Sequence, residues 1–297
     1  MVIVLFIIML IGLLLGKMKV VSGEAKNCLS FIIINVSMPM MIVSSCDFEF
    51  TDETKAAALW VVIIAAAIFI FSILLATILF KKEALRCATV FSNAGYMGLP
   101  VLDSILGPTG LFLGAIFQMV FHLFLWTYGI SLYTKSNRFS DSLKKIINPS
   151  LIAVVIGVVI MFTDFDIPDA ISTVLELMGG LTTPLSMLLI GSTLAEVNFK
   201  EIFRIKEIYI VTAIRLIIIP ASVLLFLLFP DIPRIAIYIV FIINAMPSAA
   251  VSGILALKYK KDEKLASSIV AFSTLVSIVT VFLITEVFDF ASILALI

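Results

Sequence analysis

Apolar sequence runs through this chain in stretches of 15 to 28 residues, and almost every charge falls in the short joints between them. A helix crossing the hydrocarbon core of a bilayer needs roughly 17–25 mostly apolar residues. Cutting the chain at its charged clusters gives ten segments: 2–16, 27–46, 56–80, 84–106, 109–133, 149–163, 168–195, 207–229, 232–257 and 265–288. The fourth and ninth are interrupted by Pro100 and Pro247. Composition agrees, because 13% charged residues against 62% hydrophobic ones leave too little polar surface to cover an aqueous exterior. The longest joint, Thr134 to Asn148, has no room for a soluble domain. The expectation is an all-α integral membrane protein of ten transmembrane helices whose function lies in the bilayer.

The charges also give the orientation, since basic joints stay cytoplasmic. Alternate joints hold Lys17, Lys19 and Lys26; Lys81, Lys82 and Arg86; Lys135, Arg138, Lys144 and Lys145; Lys200, Arg204 and Lys206; and Lys258, Lys260, Lys261 and Lys264. Together they carry 17 of the 20 basic residues. The opposite joints hold Lys55 and Arg234 beside Asp47, Glu49, Asp52, Glu53, Asp164, Asp166, Asp169 and Asp231. Ten spans then put both termini outside the cell membrane. Residues 2–16 read as a retained first helix, with no basic stretch ahead of them.

Several classes of function are excluded. Twenty basic against twenty acidic residues leave no excess to neutralise nucleic-acid phosphates. Cys28, Cys46 and Cys87 have no metal-ligand spacing. His122 is the single histidine, there is no His-Glu-x-x-His, and no intramembrane aspartates are paired, so neither catalytic residues, a metal nor a cofactor is expected.

Landmarks recur at about half the chain length. Ile11-Gly12 and Ile156-Gly157 are 145 residues apart, as are Pro39 and Pro184, and Pro100 and Pro247 are 147 apart. Five spans per half is an odd number, so the halves would enter the membrane in opposite orientations. Residues 1–133 and 149–297 then form two inverted five-helix repeats joined by a cytoplasmic segment, 134–148. Inverted repeats suit alternating access in a transporter.

The most distinctive stretch is Ser92-Asn93-Ala94-Gly95-Tyr96-Met97-Gly98-Leu99-Pro100. Two glycines ahead of a proline predict a helix break near Gly98-Pro100. Non-helical backbone at bilayer depth is tolerated where protein covers it or where it lines a cavity. The counterpart in the ninth span is Asn244-Ala245-Met246-Pro247-Ser248, with Gly253 beyond it. The candidate substrate-binding residues are therefore Asn93, Gly95, Tyr96, Gly98, Pro100, Asn244, Met246, Pro247 and Ser248. Broken helices offer free N–H groups and a positive dipole end to an anion, and Asn93 and Asn244 can donate without adding negative charge.

At these residues the chain resembles the auxin efflux carrier family, which includes plant PIN proteins and bacterial carriers assigned to malate or malonate. The resemblance rests on the Asn-(x)4-Gly-x-Pro pattern of Asn93, Gly98 and Pro100, and on Met246-Pro247 with Ala256, Lys258 and Tyr259. Leu181 to Leu194, with Pro184 and Gly191, and Ile214-Arg215-Leu216 before Pro220 are similar too. It covers the whole chain, and departs from plant members at Ser252, where they have a further proline, and in the short 134–148 joint. The resemblance implies a fold like those of sodium/proton antiporters and bile-acid carriers, with broken helices 4 and 9 crossing at the substrate. Spans 1, 2, 6 and 7 would be a scaffold, through which a homodimer could form, and spans 3–5 and 8–10 an elevator-like transport domain. The implied cargo is a small organic anion, a carboxylate.

Arg215, nine residues into the eighth span, is the deepest cation, and reads equally as a candidate for a charge role and as a snorkelling or carbonyl-bound arginine near the cytoplasmic side. Glu176 reads as an interhelical hydrogen-bonding group, and His122 with Gln118 as a packing pair or a proton relay. Ser273, Ser277 and Thr280 form a polar stripe that packs helices or lines a pathway. A cation/proton or sodium-coupled carrier of the same fold, and a receptor or channel, are the other readings. The topology predicts that in a cysteine-free background single cysteines at Asp52 and Asp166 react with impermeant reagent from outside, and those at Lys82, Ser140 and Lys260 from inside. Reversed labelling of either set would sink it.

Overall fold

The computed structural model describes residues 2–46, 51–134, 148–163, 167–195 and 205–287. The 134–148 joint apart from Thr134 and Asn148, and joint residues Asp47, Glu49, Asp164, Asp166, Lys200 and Arg204, lie outside the described residues. The helices are α1 (Val2–Lys17), α2 (Gly23–Ile32), α3 (Met38–Ser44), α4 (Asp52–Leu79), α5 (Glu83–Val90), α6 (Leu99–Phe124), α7 (Pro149–Thr163) and α8 (Asp169–Gly179). They continue with α9 (Thr182–Leu194), α10 (Lys206–Ala213), α11 (Ile219–Val223), α12 (Arg234–Asn244), α13 (Val251–Lys258) and α14 (Glu263–Val287). Among the described residues there is no strand. Among the described residues six stretches are long and apolar enough to cross a bilayer: Gly23–Ser44, Asp52–Leu79, Ala94–Gly129, Asp169–Leu194, Lys206–Leu228 and Glu263–Ile284. Shorter apolar helices are Ile3–Lys17, Pro149–Ile160 and Arg234–Asn244.

The Ala94–Gly129 stretch is folded rather than straight. Gly107, at φ 60° and ψ −150°, takes a conformation that L side chains rarely adopt, and Pro108 follows it. Glycine supplies the turn and proline begins the next helix, where its missing N–H costs nothing.

Three prolines sit inside helical runs, and the backbone widens ahead of each of them. Wide π turns cover Ile33–Ser37, Ala94–Gly98 and Ile214–Ile218, each ending two residues before a proline: Pro39, Pro100 and Pro220 respectively. A proline lacks the N–H that would bond four residues back, and its ring crowds that carbonyl. In each case that carbonyl, of Asn35, Tyr96 or Leu216, lies within the wide turn. A π turn is a recognised way to absorb the defect without ending the helix.

The chain packs as two compact units. The first comprises Met1–Ala58, Gly95–Met119 and Ile147–Val197. Its tightest seam lies between α1 and α9, where glycines let the backbones touch. A Cβ at Gly191 would collide with the Met9 carbonyl, one at Gly12 with the Leu188 carbonyl, and one at Gly16 would lie 2.8 Å from Ser192 Cα. On α7, a Cβ added at Gly157 would lie 2.5 Å from Cys46 Sγ, at the end of the second segment. A Cβ at Gly179 on α8 would lie 2.8 Å from the Met41 Cα of α3. Small residues at such seams are how helices pack without a hydrophobic drive. Large apolar side chains point outward, including Leu177 at 70% exposure, as expected where lipid is the solvent.

The second unit comprises Leu59–Ala94, Val120–Ile146 and Asn198–Ile297. Its core holds an aromatic cluster: Phe69 stacks on Phe124 at 4.9 Å, and Phe91 meets Phe121 edge-on at 5.4 Å. At the head of α5, Glu83 pairs with Lys261 at 3.0 Å. A hydrogen bond from its own backbone, then the Lys261 ammonium, holds the Glu83 carboxyl below the ordinary carboxylate range.

Gly191→Leu should lower the thermal unfolding temperature of the detergent-purified protein steeply, because the colliding atom is backbone. The cost expected is at least about 3 kcal/mol, the upper part of the overpacking range. Gly23→Ala, at a positive φ with open space around it, should cost about 1 kcal/mol from strain alone. Equal stability of Gly191→Leu and wild type would refute the seam.

Candidate functional site

The helix break in the fourth span lies earlier than the glycines and proline suggest. α5 ends at Val90, and Phe91 is extended at φ −98° and ψ 116°. Gly98 closes the π turn and Pro100 lies in the resumed helix, so the expected break near Gly98-Pro100 is corrected to Phe91–Asn93. In the ninth span α12 ends at Asn244 and α13 starts at Val251, and Pro247 lies in the gap. Pro100 and Pro247 therefore hold different places relative to their breaks, although 147 residues separate them.

The two gaps pair with each other inside the second unit. Asn93 N–H donates to the Pro247 carbonyl at 2.7 Å, Ala249 N–H donates to the Phe91 carbonyl at 2.8 Å, and Ser92 lies opposite Ser248 as an antiparallel pair. Two broken helices thus satisfy part of their freed backbone on one another.

The remaining carbonyls at the helix ends can be followed one by one, as buried backbone groups require. On α5, Cys87 accepts from Phe91 N–H at 3.1 Å and Ala88 from the Ser248 hydroxyl at 2.8 Å. Thr89 and Val90 both accept from Arg215 Nη1 at 3.1 Å. On α12, Phe241 and Ile242 accept from Ala245 N–H, and Ile243 from Met246 N–H at 3.2 Å. Asn244 accepts from Arg215 Nη2 through its carbonyl at 2.7 Å and its side-chain oxygen at 2.8 Å. Arg215 is wholly buried. Its neighbours are the C-terminal ends of two helices.

Asn244 is further committed through Nδ2, which donates to the Val240 carbonyl at 2.8 Å. Asn93 differs. It is 5% exposed, yet among the described residues its side-chain amide makes no hydrogen bond. Met246, Pro247 and Ser248 are buried. Ser248 N–H donates to the Ser273 hydroxyl at 3.1 Å, so one member of the polar stripe on α14 supports the break directly. Ser277 and Thr280 donate to carbonyls of their own helix.

Gly95, Tyr96, Gly98 and Pro100 belong to the first unit. Tyr96 shares a hydrogen bond with Ser30 at 2.5 Å. A Cβ at Gly95 would lie 2.8 Å from Gln118 Nε2, so the glycine makes room for that amide. Gln118 is 6% exposed, its Oε1 has no partner, and Nε2 meets only the Met38 sulfur at 3.8 Å among the described residues. Spacing along the helix ties Gln118 to His122, whereas the fold places it against the glycine-rich motif. His122 lies edge-on to Phe121 at 5.6 Å. The first unit also has a half-open cavity of about 450 Å³, lined by Pro100, Asp103, Ser104, Glu176, Thr183 and Pro184 among others. No group of three or more metal-ligating side chains occurs among the described residues.

A family model described as a membrane transport protein matches residues 1–142 and 136–285. The chain belongs to the auxin efflux carrier family. Among relatives in keeping with this carrier family is an "uncharacterized transporter" of Methanothermobacter thermautotrophicus. It is 27% identical over 293 residues, covering 92% of this chain and 93% of that protein. Another is the "uncharacterized transporter MJ1031" of Methanocaldococcus jannaschii, 25% identical over 299 residues, covering 94% and 95%. This family member is a membrane transport protein and not an enzyme.

Removing the hydroxyl that receives a buried amide should be costly. Ser273→Ala leaves Ser248 N–H unpaired and is expected to destabilise the folded protein by about 1–3 kcal/mol. Thr280→Val, which removes a hydroxyl bonded within its own helix, should stay within about 0.5 kcal/mol. Denaturation of both variants in detergent checks the contrast, and equal effects would contradict the cap.

Proposed function

We propose that this carrier moves a small organic carboxylate across the cell membrane by an elevator-like alternating-access cycle, with the carboxylate bound beside Asn93 at the paired breaks. The observation that carries the reading is the Asn93 amide, which makes no hydrogen bond among the described residues although the residue is only 5% exposed. An amide with no protein partner keeps its N–H groups free to donate, and an anion arriving there gains those donors. Asn244, engaged through its oxygen and one N–H, serves in this reading as frame for the site.

The transport reading takes the chain as ten spans in two inverted repeats of five helices, 1–133 and 149–297, with both termini outside. The reversal at Gly107-Pro108, which divides one long helical stretch into two, supports the span count. Reciprocal packing supports the repeat, since Gly12 of the first span approaches the seventh and Gly157 of the sixth approaches the second. The division into two compact units, one gathering α1–α3, α7–α9 and Gly95–Met119 and the other α5, α10–α14 and most of α4, fits a scaffold and a moving domain except at Gly95–Met119, which this reading assigns to the moving part. A homodimer through the scaffold helices belongs to the same reading.

A specific observation favours a second reading, coupling to a cation gradient. Asp103 and Glu176 line one cavity together with hydroxyls of Ser44, Ser45, Ser104 and Thr183, a set of hard oxygen donors suited to a proton or sodium ion.

Both readings are tested with purified protein in liposomes. Malate, malonate and phenylacetate are supplied with their amides as neutral controls, with and without imposed proton or sodium gradients. Saturable uptake of a carboxylate and not of its amide is expected. Asn93→Ala should raise the KM about ten-fold, corresponding to a hydrogen bond with a charged partner. Asn93→Asp should raise it further by setting like charges together. Wild-type uptake by the aspartate variant at neutral pH would move the site away from Asn93. Gradient-dependent uptake abolished by Asp103→Asn would establish the coupled cycle.

A further inference from the structure

We infer that Arg215 is the positioning residue of the paired breaks: a buried guanidinium that holds two helix C-termini in register and cancels their charge, without touching the cargo. The inference rests on the carrier reading above and deepens it by assigning the source of the site's tolerance for an anion.

The geometry supplies the argument. Arg215 has no exposed surface, and the four hydrogen bonds of its Nη atoms go to Thr89, Val90 and Asn244, residues 126, 125 and 29 positions away in the chain. A forked cation can serve two separately arriving strands because Nη1 and Nη2 diverge in one plane. Nη1 takes the end of α5 and Nη2 takes the end of α12. A lysine ammonium keeps the charge but has a single nitrogen.

Charge counting reaches the same place. A helix C-terminus carries about half a negative elementary charge, so two of them facing inward amount to about one, which a single guanidinium balances. Left uncompensated, those two ends would repel an anion at the breaks. With Arg215 in place the backbone there is close to neutral, and the unpaired Asn93 amide decides which cargo is favoured. The arginine reaches no carboxylate among the described residues; the oxygens it meets are carbonyls and an amide.

Ser92 and Ser248 provide a reporter that does not depend on any substrate. They form a non-hydrogen-bonded antiparallel pair, a geometry with Cα atoms about 4.5 Å apart that a disulfide can span. In protein with Cys28, Cys46 and Cys87 replaced by alanine, Ser92→Cys with Ser248→Cys should cross-link rapidly under copper phenanthroline. Adding Arg215→Met should slow the reaction at least about five-fold by removing charge-assisted bonds, and Arg215→Lys should fall between. Cross-linking at the original rate in folded, monodisperse Arg215→Met overturns the inference. If that variant does not fold, Arg215→Lys decides, and an unchanged rate there overturns the role of the fork.

In liposomes, with malate as the probe, Arg215→Met should raise the KM about ten-fold, as loss of charge compensation requires, and leave Vmax per folded protein within about two-fold. Arg215→Lys should recover part of the KM. A loss of Vmax alone, equal in both variants, would reduce Arg215 to a packing residue and overturn its effect on the anion. Absence of carboxylate uptake by the wild-type protein would instead sink the carrier reading and leave the cross-linking rate to decide Arg215.

Discussion

A helix interrupted inside an apolar medium must find partners for the carbonyls it releases, and the second unit is organised around that requirement. α5 and α12 both stop short, and the eight carbonyls of their last turns, four on each, are all accounted for within the unit. Some are taken by the backbone tightening after the helix, one by the Ser248 hydroxyl, and three by Arg215. The antiparallel pairing of Ser92 with Ser248 covers backbone in the gaps themselves. Without these bonds, each exposed group would cost several kcal/mol in hydrocarbon, in the order-of-magnitude sense that restricts membrane spans to helices and closed barrels. The aromatic cluster around Phe69 and Phe91 then packs on a backbone already fixed.

Much of the architecture was legible in the sequence because membrane constraints act locally. Charge clusters mark the joints and runs of apolar residues mark the helices, whereas Gly12 and Gly157 show in the sequence only as repeat landmarks and become seams without room for a side chain once the helices pack. The position of the break in the fourth span was not legible. Gly98 and Pro100 carry the local signal for irregular backbone, yet the π turn over Ala94–Gly98 absorbs the proline and the chain stays helical through it. Phe91 and Ser92 carry no such signal. Their extended form is set by Pro247 and Ala249, more than 150 residues later in the chain, and a local pattern does not contain a partner that distant.

The candidate site was partly legible for the same reason. Asn93 and Asn244 look alike in sequence, each followed by alanine and then by a proline. The fold separates them: one amide is engaged at both ends and the other is left without a bond. Arg215 stood out as the deepest cation, but its partners are carbonyls, which every residue possesses, so no residue type elsewhere announced them. Gln118 read as the neighbour of His122 by helical spacing, and its packing against Gly95 depends on how the chain folds back at Gly107.

The three groups that receive Arg215 are made at different times as the chain emerges from the ribosome. Thr89 and Val90 precede the arginine, and Asn244 follows it by 29 residues. At about 5–20 residues per second, the eighth span waits on the order of seconds for half of its acceptors. An arginine at mid-helix opposes insertion by about 2.5–3.5 kcal/mol, which isoleucine and leucine repay at about 0.3–0.6 kcal/mol each. The long apolar run of Lys206–Leu228, with a mean hydropathy of 2.5, offsets that opposition while Asn244 is still to be made. Birth order along the chain, as much as the finished fold, constrains how few apolar residues this helix can carry.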